Sequence, residues 1–331
     1  MNDKSLHNDL PPEANDFTPE EIAEAEQLYQ DSIRKHLKAF EQDNGGTLKR
    51  IYRISAYRKI KAKKEHQAEQ EKKLSELIKL PLIPYPEATR VVSNDMARSA
   101  LFSAIQGANR EILKDKVLAT IDGIEIIFTG EQLNQDDHDL LMQLVHMARH
   151  KPFGEYITVP ANTILSGLGL DKGKSQHDQI KTGMKRLLAT LVEIRNKRTR
   201  VNYYGHIIDK AMQDETRKYW VYRLNSDLRP LYDTTSFSLL EWEQRRALKR
   251  KDLARWLQSF YSTHANPFSL SVDFLHSMSG SKATLKEFRR GLRIALDTLV
   301  SIEFLQTWEL DQKNDLVTVK RATVQKALSA C

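Results

Sequence analysis

The sequence predicts a helix-rich α+β protein built from one module used twice, behind a charged N-terminal extension. Three observations support this. The segment Phe288–Ile302 (FRRGLRIALDTLVSI) has a relative 108 residues earlier, Ile180–Ile194 (IKTGMKRLLATLVEI). The two are identical at Gly183/Gly291, Leu188/Leu296, Thr190/Thr298, Leu191/Leu299, Val192/Val300 and Ile194/Ile302. Their neighbours repeat as well. KPFGEYITVPANTILSG (151–167) and NPFSLSVDFLHSMSG (266–280) both read as Pro-Phe, short strand, short helix and glycine turn. Charge, finally, falls in blocks. Residues 1–48 carry four Lys/Arg against eleven Asp/Glu, 49–90 carry twelve against five, and 91–331 carry 35 against 28. Self-similarity at a spacing of about 110 residues marks duplicated domains rather than a solenoid.

Residues 18–40 read as a helix, with Thr18 as N-cap, Pro19 in the first turn and Glu20 and Glu21 at the positive end. DNGG (43–46) stops it. Residues 48–80 read as a second helix, polar nearly all round. Such a helix has no core to hold it, so this extension is expected to be mobile or ordered by a partner. PLIPYP (81–86) reads as an extended linker. Residues 93–105 read as a short helix with Met96, Ala100 and Leu101 on one face. VLATIDGIEIIFTG (117–130) reads as a β-hairpin turning at Asp122-Gly123. Residues 134–150 form a helix with Leu140, Leu141, Leu144, Val145 and Ala148 as its apolar stripe. A strand at 157–159, a helix at 160–168 and the first basic helix at 176–194 follow, then two β-rich runs around a polar tip. Helix 239–264 opens the second copy, whose basic helix spans 283–301 and whose FLQTWEL and DLVTVKR close it as paired strands.

A helix, a turn, a second basic helix and a trailing hairpin make a winged helix, in which the second helix enters the major groove of DNA. The later basic helix fits this. Leu285, Phe288, Leu292, Leu296 and Leu299 form one face, and Lys286, Arg289, Arg290 and Arg293 the other, with no compensating acid expected on that face before Asp297. Like charges at i, i+4 are mildly unfavourable in an isolated helix, so an external polyanion is the natural partner. Arg289 and Arg293 are the expected working face, flanked by Lys282 and Thr284. The earlier helix is weaker. Lys181 and Lys185 flank its stripe, Asp178 stands where Lys286 does, and Lys174, Ser175 (as N-cap) and Gln176 precede them. Its missing cations are expected on its wing, at Arg195, Lys197, Arg198 and Arg200, beside Asn202 and Tyr203. Gly183 and Gly291, each costly inside a helix, suggest close approach to a supporting helix. Arg245, Arg246, Lys249, Arg250, Lys251 and Arg255 are either a polar helix face or phosphate contacts. The expected organisation is extension and linker 1–90, winged helix 91–224 and winged helix 225–331.

Catalysis is not indicated. Gly173-Lys174-Ser175 lacks the first glycine of a phosphate-binding loop, because position 168 is Leu168. His146 and His150 are spaced i, i+4 without the glutamate of a zinc-protease motif, and read as helix-surface residues. Asp136, Asp137, His138 and Asp139 suit a helix N-terminus. No metal pair accompanies Tyr203-Tyr204. No cofactor or metal is expected. The N-terminus lacks a secretory pattern, no stretch reaches membrane-spanning length, and the single cysteine, Cys331, fits a reducing cytoplasm.

NDMARSALF (94–102), the hairpin ending IIFTG (126–130) and the LLMQLV helix core resemble the TrfA-type plasmid replication initiators over residues 80–325. The resemblance implies binding of double-stranded DNA at directly repeated origin sites (iterons), opening of adjacent A·T-rich DNA, and recruitment of host initiator, helicase and sliding clamp. It also implies a homodimer in equilibrium with a DNA-binding monomer. KKLSELIKLPL (72–82) lacks the Gln and Phe of the family's clamp-binding peptide. The competing expectations are a transcriptional repressor with the same modules and a scaffold for acidic proteins.

Overall fold

The computed structural model describes residues 17–41, 46–106, 110–121, 123–197 and 202–322. It contains two compact units, Met1–Glu76 and Leu77–Cys331.

The first unit is a set of helices. α1 (Pro19–Lys35) is closed by a capping box in which Thr18 and Glu21 bond each other's backbone N–H. α2 (Leu37–Glu41) and the long α3 (Thr47–Ile78) follow. Contrary to expectation, the first half of α3 does have a core. Tyr57 and Ile60 pack with Ala25, Phe17, Ile22 and Leu28. Acidic α1 meets basic α3 through Glu26–Arg53 (2.7 Å), Glu24–Lys63 (2.6 Å) and Glu21–Lys64 (3.2 Å). The opposed charge blocks thus neutralise each other within this unit.

In the second unit, β1 (Thr89–Ser93) leads into α4 (Asn94–Ala97), far shorter than the helix expected at 93–105. The chain then forms β2 (Phe102–Ser103) instead. β3 (Ile112–Leu118) and β4 (Ile124–Glu131) are the expected antiparallel pair. Gly123 takes φ +87° in their connection, and Asp122 lies outside the described residues. After β5 (Leu133–Asn134), which pairs parallel with β2, comes α5 (Gln135–Ala148), capped by Asn134. The apolar stripe of α5 is buried as expected, and so are His138, Gln143 and His146.

The repeat is visible in the topology. In the first copy, β6 (Ile157–Pro160), α6 (Ala161–Gly167) and α7 (Lys174–Ala189) are followed by β7 (Leu191–Asn196), β8 (Asn202–His206), β9 (Ile208–Asp214) and β10 (Tyr219–Leu224). Sheet order is β6-β10-β9. In the second, α9 (Asp252–Ser262), β12 (Leu270–Ser271), α10 (Val272–Met278) and α11 (Leu285–Ser301) lead to β13 (Leu305–Asp311) and β14 (Leu316–Arg321), in the same order, β12-β14-β13. The difference is an insertion: β7 and β8 join β3 and β4 in a separate four-stranded sheet.

That insertion overturns two expectations. Arg195, Lys197, Asn202 and Tyr203 lie on or beside β7–β8, whereas the hairpin matching β13–β14 is β9–β10. The shared Thr-Leu-Val also takes two conformations. Thr298–Val300 is helical, while Thr190 ends α7 and Leu191-Val192 start β7, where Val192 pairs with Phe128. Leu191 is therefore exposed and Leu299 buried. A waiting strand, β4, overrides helix propensity.

The expected helix 239–264 is likewise divided. β11 (Phe237–Glu241) pairs with β1, α8 (Trp242–Ala247) follows, and Arg250 at φ +64° breaks the chain before α9. The expected linker 81–86 is extended but packed: Leu82 is buried in the first core, and Arg229 bonds the carbonyls of Leu80 and Pro81. Each copy has its own core, the first around α5, α6 and α7, the second around α9, α10 and α11. No helix among the described residues is long and apolar enough to cross a membrane.

Candidate nucleic-acid interface

α11 is anchored at its start by Thr284. Its hydroxyl accepts from Glu287 N–H at 3.3 Å, and the Glu287 carboxylate accepts from Thr284 N–H at 3.0 Å. Hydrogen bonds from Thr284 hold the Glu287 carboxyl below its ordinary pKa. Thr284, expected to touch DNA, thus has a capping role. Phe288, Leu292, Ala295, Leu296 and Leu299 are buried on one face of the helix. The opposite face presents Lys286, Arg290 and Arg293, all exposed and with no ion pair to a carboxylate among the described residues, although Arg293 also acts on Asp315 through space.

Arg289 differs from these three. Its Nε and Nη2 donate to Asp315 Oδ1 (3.0 Å) and Oδ2 (2.7 Å), a bidentate pair. Asp315 sits in the turn between β13 and β14, at φ +54°. The Arg289 bonds hold its carboxyl below the usual range. The expectation of an uncompensated cationic face therefore fails at Arg289, which braces helix to hairpin.

The first copy repeats the device. Lys181, aligned with Arg289, reaches Glu215 in the turn between β9 and β10 at 3.0 Å. Lys185, aligned with Arg293, is exposed and has no carboxylate partner among the described residues. Lys174 and Ser175 are exposed in the first turn of α7. The N-cap is Gly173, not Ser175, because the helix starts two residues earlier than expected. Arg195 is paired with Glu125 and Glu193 across its own sheet, and Lys197 is exposed at the end of β7. Arg198 and Arg200 lie outside the described residues. Lys282, before α11, pairs with Glu111 at 2.8 Å.

Gly183 confirms the close approach of α7 to α5, since a Cβ there would lie 2.7 Å from Leu140 Cδ2. At Gly291 the nearest atom is Leu253 Cδ2 at 3.8 Å, so that glycine is not sterically required.

The cations of residues 245–255 form a different structure. Arg245 and Arg255 are buried. Arg245 Nε meets Asp139 Oδ1 at 2.6 Å, and its Nη2 meets Gln135 at 2.7 Å. Arg255 Nη1 meets Asp136 (2.8 Å) and Asp139 (2.9 Å), and Asp252 also pairs with it. Neither a polar face nor a phosphate contact describes these two. They join α8 and α9 to α5, locking the two copies together, with burial lowering the pKa of Arg245. The same seam holds a cleft lined by Gln176, Gln179, Arg246, Lys249 and Arg250. Lys249 Nζ donates to Gly169 O at 3.3 Å there.

His146 is buried rather than on the helix surface. Its Nε2 lies 3.0 Å from Glu87 and its Nδ1 3.3 Å from Tyr85 Oη. Burial pushes its pKa down to about 4, so the neutral imidazole donates to Glu87 and accepts from Tyr85. Among the described residues no group of three or more His, Cys, Asp or Glu is placed to hold a metal ion.

A family model described as "TrfA protein" matches residues 44–321, most of the chain. The chain belongs to the TrfA family. The plasmid replication initiator protein TrfA of Escherichia coli is 26% identical over 256 residues, covering 72% of this chain and 64% of that protein. RepFIB replication protein A of Salmonella typhi is 25% identical over 205 residues, covering 59% and 63%. This chain thus spans less than two thirds of the length of either relative. Among solved structures, domains 2 and 3 of RctB superpose with a TM-score of 0.48 at 13% identity, covering 68% of this chain and 97% of theirs. The Pi initiator protein in complex with iteron DNA gives 0.43 at 14%, covering 58% and 94%.

Proposed function

We propose that this chain is a plasmid replication initiator that binds repeated duplex sites at its origin through two tandem winged helices, without catalysis. One observation carries the reading. In both copies a cation of the basic helix is tied to a carboxylate in the turn of the following hairpin, Lys181 to Glu215 and Arg289 to Asp315. Helix and hairpin are thereby held as one surface, with Lys185 on the first and Lys286, Arg290 and Arg293 on the second left exposed. Such a surface meets a polyanion without first breaking its own ion pairs. Family membership supports the initiator role over that of a repressor.

The domains in this reading are 91–224 and 225–331, preceded by the extension 1–90. α7 and α11 enter successive major-groove faces about 34 Å apart. Lys286, Arg290 and Arg293 divide between phosphate and base-edge contacts. The ion cluster around Asp139 keeps the two helices in register. Binding to iterons then opens adjacent A·T-rich DNA and brings in host initiator, helicase and sliding clamp. The monomer binds iterons and the homodimer stores the protein.

Fluorescence anisotropy with a duplex from the protein's own origin and a scrambled duplex, each titrated with salt, tests this. Preference for the origin duplex and a steep loss of affinity with salt are expected. A response independent of salt would favour a scaffold for acidic proteins. Permanganate probing of the bound origin separates initiator from repressor, because a repressor leaves the A·T-rich DNA closed.

A further inference from the structure

We infer that Ile294 is a specificity-determining residue that reads the C5-methyl group of a thymine in the major groove under the second copy. The inference rests on the DNA-binding reading of α11.

Ile294 breaks the pattern of its helix. The apolar face of α11 is complete without it, and Ile294 is 59% exposed. It follows Arg293 directly and stands one turn after Arg290, on the same exposed stripe as Lys286 and Asp297. A branched aliphatic side chain there gives nothing to the core and keeps apolar surface in contact with water. Asp297, one turn on, is held by the indole N–H of Trp308 on β13 at 2.9 Å. Thr298 spends its hydroxyl on the Ile294 carbonyl at 2.8 Å. Ile294 is therefore an apolar contact set among cations, with its polar neighbours already engaged.

In a major groove, the apolar feature that distinguishes one base pair from the others is the thymine methyl. Arginine beside it supplies guanine or phosphate contacts. The first copy has no counterpart. Arg186 aligns with Ile294 and is committed to Asp137, with Nε to Oδ1 at 2.9 Å. Methyl readout is therefore confined to the half of the site under α11.

The test uses the full chain and duplexes of its footprinted origin site in which each thymine is replaced singly by deoxyuridine, removing only the methyl. Wild-type protein is expected to lose about fourfold in affinity at one or two positions in one half-site, the value for burial of one methyl-sized group. Ile294→Ala is expected to bind thymine and uracil duplexes equally at those positions, and Ile294→Val to retain part of the difference. The inference is overturned if no single replacement weakens the wild type, or if Ile294→Ala shows the same loss. If the wild type binds no origin duplex at all, the DNA-binding reading fails with it.

Discussion

Asp139→Asn removes one charge from the middle of the buried cluster at nearly constant size. Asp139 accepts from Arg245 Nε at 2.6 Å and from Arg255 Nη1 at 2.9 Å. Arg255 keeps two carboxylates, Asp136 and Asp252. Arg245 keeps only neutral acceptors: Gln135, Ser259 and the Arg255 carbonyl. Its side chain is 1% exposed, so it becomes a buried cation with no carboxylate bonded to it, and only Asp136 is left to act on it through space. Breaking a buried pair by removing one partner costs about 3–5 kcal/mol. Asp139 is 16% exposed, which places the expected loss at the low end, about 3 kcal/mol. Urea unfolding followed by tryptophan fluorescence reads this directly, because Trp242 and Trp256 are buried at the same seam. With a slope of about 3 kcal/mol per molar, the midpoint falls by about 1 M. Adding Arg245→Met, which leaves no orphaned charge, restores most of the loss. A midpoint shift below about 0.3 M for Asp139→Asn, with an unchanged slope, would mean that Arg245 does not depend on Asp139 for its charge balance.

Arg289→Ala and Asp315→Ala are expected to weaken origin binding by similar amounts, with the double variant no worse than either, because both release the same brace. Arg293→Ala should cost about 1–3 kcal/mol of discrimination between origin and random duplex, measured by anisotropy with both DNAs. Gly183→Ala should lower the melting temperature, since its Cβ meets Leu140 at 2.7 Å, whereas Gly291→Ala should raise it by up to the equivalent of about 1 kcal/mol. Acid should destabilise the fold through His146. Its folded pKa of about 4 lies below its ordinary value, so the unfolded chain binds the extra proton. The stabilisation is complete above about pH 6.5 and is lost as pH falls toward 4, at up to about 1.4 kcal/mol per pH unit. His146→Gln should flatten that slope in pH-resolved urea titrations.

Periodicity and capping chemistry were enough to locate α1, α5 and α11, because local rules decide them: Thr18, Asn134 and Thr284 each cap the helix that follows. T-L-K-E at 284–287 carries the capping-box spacing, so the capping role of Thr284 is legible in the sequence beside its expected DNA contact. The duplication was legible too, since neighbouring segments repeat with it. What escaped was set by distant partners. Thr190-Leu191-Val192 matches Thr298-Leu299-Val300 residue for residue, and only the presence of β4 beside the first decides between strand and helix. Arg245 and Arg255 look like surface cations until Asp136 and Asp139, more than a hundred residues earlier, are brought against them. Arg289 looked free because Asp315 belongs to the next hairpin. Ile294 interrupts the cationic face of α11, and only its exposure shows that this apolar side chain is left out of the core.

The proposed function requires one chain to present two DNA-reading helices in fixed register, and hydroxyl-radical footprinting of the purified monomer on its own origin tests this. Two protected patches per site are expected, centred one helical turn apart and spanning about 20 base pairs in all. A single patch of about 10 base pairs per bound monomer would contradict the tandem account.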